Sequence, residues 1–179
     1  MAWLRRRLWL VSALVVLAVL GYLGLRPVQE ASLTVGVHVG QIAPDFTLPT
    51  LDGGKVHLWQ LRGHPVWLNF FASWCPPCKA EAPNIEATAR SNPKLPIIGM
   101  NLTGSEVSLS DVRAFVRKYH ITYPVAIDQN NAVANHYQVQ VIPTSFFIDA
   151  HGVIRDVYTG ALLPGMIRSA LAKAGYSMR

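Results

Sequence analysis

Val66-Trp67-Leu68-Asn69-Phe70-Phe71-Ala72-Ser73-Trp74-Cys75-Pro76-Pro77-Cys78-Lys79-Ala80-Glu81 is the stretch on which the reading turns. Its first six residues form a continuous apolar run, interrupted only by Asn69, as expected for a central strand buried on both faces. The residues after Pro76 read as a helix to Ser91, because two prolines are tolerated in a first turn. Pro83 falls inside that helix and predicts a kink. The only two cysteines of the chain therefore stand where a strand hands over to a helix N-terminus. Unpaired backbone N–H groups and the positive end of the helix dipole favour a thiolate there. The thiolate is the reactive form of cysteine. Two such thiols, three residues apart, can attack a disulfide or close into one. Thiol–disulfide exchange is the leading expectation.

Working outward, Phe46 and Leu48 alternate with polar neighbours, Asp52-Gly53-Gly54 signals a hairpin turn, and residues 55–58 read as the return strand. Residues 59–62 predict a helical turn ended at Gly63. Beyond the 76–91 helix come a buried strand over 95–100 and a helix from Asp111 to about Tyr119 capped by Ser110. A short strand over 123–127 and a short helix over 131–137 follow. Residues 144–148 and 153–158 form a hairpin about Asp149-Ala150-His151-Gly152. A last helix runs from Pro164 to about Ala174 and is stopped by Gly175. A hairpin, then alternating strands and helices, then β-β-α describes a three-layer α/β domain with a central mixed sheet.

The N-terminus carries a different message. Arg5, Arg6 and Arg7 precede residues 8–25, which hold no charge. Eighteen helical residues span about 27 Å, near the roughly 30 Å of a bilayer core. The arginines orient the remainder of the chain away from the cytoplasm. The expected organisation is a cytoplasmic tip and membrane anchor over 1–26 (the span itself 8–25), a tether over 27–39 and a domain over 40–179. A cleaved signal peptide is the competing reading, with Ala31-Ser32 a weak cleavage site. No cysteine stands at the end of the apolar run, so a lipoprotein anchor is excluded. The net charge of +6 leans on this terminus. Arg5, Arg6, Arg7 and Arg26 are four of 16 basic residues, leaving 12 against 10 acidic. No basic stripe with interleaved aromatics is present, which excludes nucleic-acid binding as a leading class. Two cysteines and six scattered histidines give no four-ligand zinc pattern. No cofactor or metal is expected, and no oligomer interface is signalled, so a monomer is expected. A purely structural disulfide is disfavoured, because so short a loop gains little from closure.

Three segments carry a family resemblance: residues 43–48 (Ala-Pro-Asp-Phe-Thr-Leu), residues 68–83, and residues 141–149 (Val-Ile-Pro-Thr-Ser-Phe-Phe-Ile-Asp). Over almost all of 40–175 the chain resembles membrane-anchored thioredoxin-like thiol–disulfide oxidoreductases of the TlpA/ResA/CcmG type. The resemblance implies a thioredoxin fold with an N-terminal β-hairpin extension and a TlpA-type insertion between the strands at 95–100 and 123–127. It implies that Cys75 is the nucleophile, more exposed than its partner, and that Cys78 resolves the mixed disulfide. Ordinary thioredoxins carry a buried aspartate on the preceding strand, where this chain has Asn69. ResA-like proteins carry a glutamate at the place of Glu81, so Glu81 is expected to be the base for Cys78, its acidity weakened by partial burial. Pro143 matches the cis-proline loop of the fold and should face Cys75, leaving Ile142 to pair with an extended substrate. Trp74 is expected to cover the site, and Pro76 and Pro77 to tune its redox poise.

The resemblance further implies disulfide-containing exported substrates such as apocytochrome c, and a membrane electron donor of the DsbD/CcdA kind. The location implied is the inner membrane, single-pass, with the catalytic domain on the periplasmic side. Rival classes are a disulfide oxidase or isomerase, a thiol peroxidase and a copper chaperone. A peroxidatic cysteine usually follows a Thr or Ser by three residues, and here Ala72 holds that place. Copper delivery uses a wider cysteine spacing.

Overall fold

The computed structural model describes residues 14–19 and 33–178. Of the segment expected to anchor the chain, residues 14–19 are helical with exposed apolar side chains, and the rest lies outside the described residues. Among the described residues no helix is long and apolar enough to cross a membrane.

The folded unit begins at Leu33, earlier than the expected boundary at residue 40. Residues 33–39 are not a free tether. Gly36 N–H donates to the Ile42 carbonyl and Ile42 N–H to that of Thr34, and Val37 is buried in the core. Burial of an apolar side chain and pairing of backbone groups both favour docking over a solvated linker.

Among the described residues, seven strands and four helices follow. Strands β1 (Thr47–Pro49) and β2 (Lys55–His57) form an antiparallel hairpin. Gly53 turns it at φ 93°, a backbone setting that favours glycine. A 3-10 turn over Leu58–Leu61 leads into β3 (Val66–Phe71), and α1 spans Pro76–Ser91, continuous through Pro83. Then come β4 (Ile97–Asn101), α2 (Leu109–Lys118), β5 (Val125–Ile127), α3 (Ala132–His136), β6 (Thr144–Ile148), β7 (Ile154–Thr159) and α4 (Pro164–Lys173). The five-stranded sheet is ordered β5-β4-β3-β6-β7. β3 pairs parallel with β4 and antiparallel with β6, so the sheet is mixed about its central strand. This is a thioredoxin-like α/β fold.

Helix α2 starts two residues before the expected place. Ser108, not Ser110, is its N-cap and accepts from Asp111 N–H. Ser108 donates in turn to the Asp111 carboxylate, so the two side chains close the helix start between them.

All six residues of β3 are buried, and alternation divides them between two layers. Val66, Leu68 and Phe70 face a core with Phe146, Met100, Tyr137 and the hairpin residue Val56. Trp67 faces Ile85 of α1 and Ile167 and Leu171 of α4, while Phe71 meets Ala82 of α1 and Val112 and Phe115 of α2. Asn69 lies on this second face, beneath α1. Val112 and Phe115 of α2 are thus core packing, as their pattern indicates.

Candidate active site

Cys75 is the N-cap of α1, in extended backbone (φ −74°, ψ 117°), and its sulfur accepts from Cys78 N–H at 3.3 Å. Pro76 and Pro77 occupy the first turn, where their missing N–H groups leave no carbonyl unpaired. Cys75 and Cys78 form a disulfide with their Cα atoms 5.3 Å apart. Cys75 was expected to be the more exposed sulfur. In this oxidised form both are buried, at 2% and 1%. Ile142 packs against the pair and supplies the cover.

Ile142 and Pro143 are joined by a cis peptide bond, as expected from the family pattern. The Ile142 carbonyl oxygen lies 3.7 Å from Cys75 Sγ. Pro143 O accepts from Gly160 N–H, and Val141 O accepts from the Thr144 hydroxyl, so the loop is tied on both sides of Ile142. Val141 itself is exposed. β6 is antiparallel to β3 with Phe70 opposite Thr144, which delivers Pro143 to the end of the sheet where Cys75 begins its helix.

Glu81 sits one turn beyond Cys78 on α1 and is 1% exposed, so its burial is complete rather than partial. Its Oε1 accepts from Asn69 Nδ2 at 2.7 Å and its Oε2 from Leu162 N–H at 3.0 Å. Asn69 Nδ2 also donates to Ser145 Oγ at 3.1 Å, and Trp67 Nε1 donates to the same oxygen at 2.9 Å. Burial pushes the Glu81 carboxyl up to about 7, against the two hydrogen bonds that hold it down. A carboxylate with that affinity is suited to exchange a proton near neutral pH.

Trp74 is half exposed beside the disulfide, and its Nε1 donates to the Ser105 carbonyl. The neighbouring Glu106 accepts from Ser73 N–H at 2.6 Å, Ser73 Oγ–H at 2.5 Å and Asn101 Nδ2 at 2.8 Å. The segment between β4 and α2 thus grips the two residues that precede Cys75. Glu106 and Ser145 were not singled out from sequence. Glu106 carries no local signal, being a polar residue in a loop. Ser145 could have been found from register, since it pairs opposite Asn69. The expected site residues Trp74, Cys75, Pro76, Pro77, Cys78, Glu81, Ile142 and Pro143 come from one helix start and one loop, and these the fold brings together. His57 stands apart, 2.7 Å from Asp45 on the hairpin side. Among the described residues no group of three or more His, Cys, Asp or Glu side chains is placed to hold a metal ion.

Comparison with known proteins agrees with this geometry. Residues 39–157 match the AhpC/TSA family. The chain is 40% identical over 156 residues to the thioredoxin-like protein YneN of Bacillus subtilis (strain 168), covering 86% of this chain and 91% of that protein. It is 33% identical over 163 residues to the thiol-disulfide oxidoreductase ResA of Geobacillus thermodenitrificans (strain NG80-2), covering 90% and 91%. The crystal structure of StoA from Bacillus subtilis superimposes with a TM-score of 0.63 at 27% identity, over 69% of this chain and 93% of that one.

Proposed function

Because the chain belongs to the AhpC/TSA family and is a thiol–disulfide oxidoreductase of the ResA type, we propose that it reduces disulfides of exported proteins, apocytochrome c among them. In this reading residues 8–25 hold it to the inner membrane, with its domain on the periplasmic side. The observation that carries the proposal is the Cys75–Cys78 pair at the start of α1, set against Ile142-Pro143 and followed by the buried Glu81.

In the reduced protein, the Cys75 thiolate attacks one sulfur of the substrate disulfide. That S–S bond breaks, a Cys75–substrate disulfide forms, and the first substrate thiolate leaves. Cys78 then gives its proton to Glu81, and its thiolate attacks Cys75 Sγ. The mixed disulfide breaks, the Cys75–Cys78 bond forms, and the second substrate thiolate leaves. Two electrons pass from the dithiol to the substrate. Both substrate thiolates take up protons, one of them by way of Glu81. The Ile142 N–H makes no hydrogen bond among the described residues, which suits it to pair with an extended substrate strand. Trp74 offers an apolar surface to the same segment. A membrane dithiol donor of the DsbD/CcdA kind returns the two electrons.

The test is the reduction potential of the pair, equilibrated against glutathione. A value near thioredoxin's, about −270 mV, supports a reductant with a dedicated electron supply, and one near about −120 mV marks a disulfide donor and overturns the proposal. With Cys78→Ser, a peptide carrying an oxidised Cys-x-x-Cys-His motif should be trapped as a stable mixed disulfide on Cys75. Free peptide alone would deny Cys75 its role.

A further inference from the structure

Glu81 is held by two partners of unlike kind. The Leu162 N–H at Oε2 can only donate. The Asn69 amide at Oε1 donates through Nδ2, but its other end is an acceptor. Ser145 Oγ accepts from both Trp67 Nε1 and Asn69 Nδ2, so its own proton remains to be given. A base in this cycle must be held as a carboxylate before it takes the Cys78 proton and as a carboxylic acid afterwards. The acid brings an O–H donor into a buried site whose present contacts from Asn69 and Leu162 are both donors. A donor left facing a donor in the interior forfeits a hydrogen bond and its desolvation. Of the two, only Asn69 can answer, by turning its amide through a half-turn.

We infer that Asn69 is a positioning residue that lets Glu81 be held in both protonation states. Nδ2 donates to the carboxylate, and Oδ1 accepts from the acid, while the Ser145 hydroxyl reverses from acceptor to donor in step. This rests on the reading of Glu81 as the base for Cys78. Other ionisable groups bear on this site. Cys75 and Cys78, on its own helix, are disulfide-bonded and do not titrate in this form. Tyr123, ahead of β5, is held as a neutral phenol by burial and by the negative charge of Glu81 and Glu86.

The experiment follows the Glu81 carboxyl directly, by infrared titration of the oxidised protein, with the acid C=O band assigned by its loss in Glu81→Gln. In parallel, the pH profile of mixed-disulfide resolution is measured by stopped flow. The wild-type band should titrate at about 7. Asn69→Leu takes a charge-assisted bond from the carboxylate and a weaker neutral one from the acid, so the midpoint should move up by the difference, about one pH unit or less, and the acid C=O band should shift in frequency because the O–H has lost its acceptor. Asn69→Asp keeps the shape and sets a second carboxyl against the first, so the pair should titrate in two separated steps. If Asn69→Leu does not fold, the wild-type Asn69 side-chain amide protons decide the matter by NMR over the same pH range: they should lose their hydrogen-bonded shift as Glu81 takes its proton, and an amide unchanged there overturns the inference. An acid C=O band that keeps its wild-type frequency in Asn69→Leu, together with a wild-type midpoint, overturns the inference. If Glu81→Gln leaves resolution unchanged, Glu81 is not the base, and that failure is read separately from the infrared midpoints. If Glu81→Gln slows resolution and the Asn69 variants move neither midpoint nor profile, the Asn69 inference falls alone.

Discussion

The two faces of β3 have the same burial and opposite chemistry. On one, Val66, Leu68 and Phe70 meet hydrocarbon and aromatic rings, with Tyr137 packed among Phe46, Phe70 and Phe146 at centroid separations of 5.0 to 6.2 Å. Its buried phenol donates to the Pro44 carbonyl. On the other, Trp67 and Asn69 run beneath α1 into a chain of hydrogen bonds that ends on Glu81 and Leu162. The apolar face gains its stability from area and packing. The polar face carries an ionisable group in the interior, which costs stability unless every partner is in place. The difference teaches where chemistry is lodged in this fold: on the single face where burial was not used for packing alone.

Substitutions on the two faces should separate these roles. The largest effect is expected from Phe70→Ala on the apolar face. A fully buried phenylalanine lost to alanine costs about 3–5 kcal/mol. Denaturant unfolding should show that loss, while the potential of the Cys75–Cys78 pair stays at the wild-type value. A changed potential would mean that the faces are not independent.

On the polar face the expected effect has a pH signature. Glu81 takes its proton at about 7 when folded, against a reference of 4.5. Between those values the folded protein binds more protons than the unfolded chain. Stability is therefore full below about pH 4.5, falls as pH rises through about 7, and is lower above it by on the order of 3 kcal/mol. Glu81→Gln should flatten that decline, its amide being matched by a turned Asn69. Urea unfolding at pH values on either side of the window checks this, and an unaltered slope in the variant would show that Glu81 is not its source.

The smallest effect is expected from Tyr137→Phe, which keeps the ring contacts and removes the hydrogen bond to Pro44. A loss of about 1 kcal/mol, independent of pH around neutrality, is expected in the same unfolding assay. A pH-dependent loss would put an ionisable group on the face described as apolar.

Much of this was legible in the chain. The run from Val66 to Phe71 names the central strand, and the prolines after Cys75 mark a helix that starts at the thiols. The Ile142-Pro143-Thr144 match carries the loop that meets them. What escaped reading was long-range or backbone in origin. The donor to Glu81 Oε2 is the peptide N–H of Leu162, 81 residues away, and a peptide N–H has no letter in a sequence. Glu106 reads as one more polar loop residue until the fold lays it on Ser73. The carbonyl that meets Cys75 belongs to Ile142, 67 positions later. The start of α2 was a nearer miss, since Ser108 and Asp111 carry the spacing of a capping pair. So was residues 33–39, where Val35, Val37 and Val39 alternate in strand fashion although only Val37 is buried.

Cys75 and the Ile142 carbonyl meet across 67 residues of sequence because β3 and β6 run antiparallel with Phe70 beside Thr144. Emergence from the ribosome therefore delivers the thiols well ahead of their cover. Until β6 joins the sheet, the two sulfurs lack the contact that Ile142 gives them. The contact beside Cys75 is thus completed late in biosynthesis, at the moment one strand finds its neighbour.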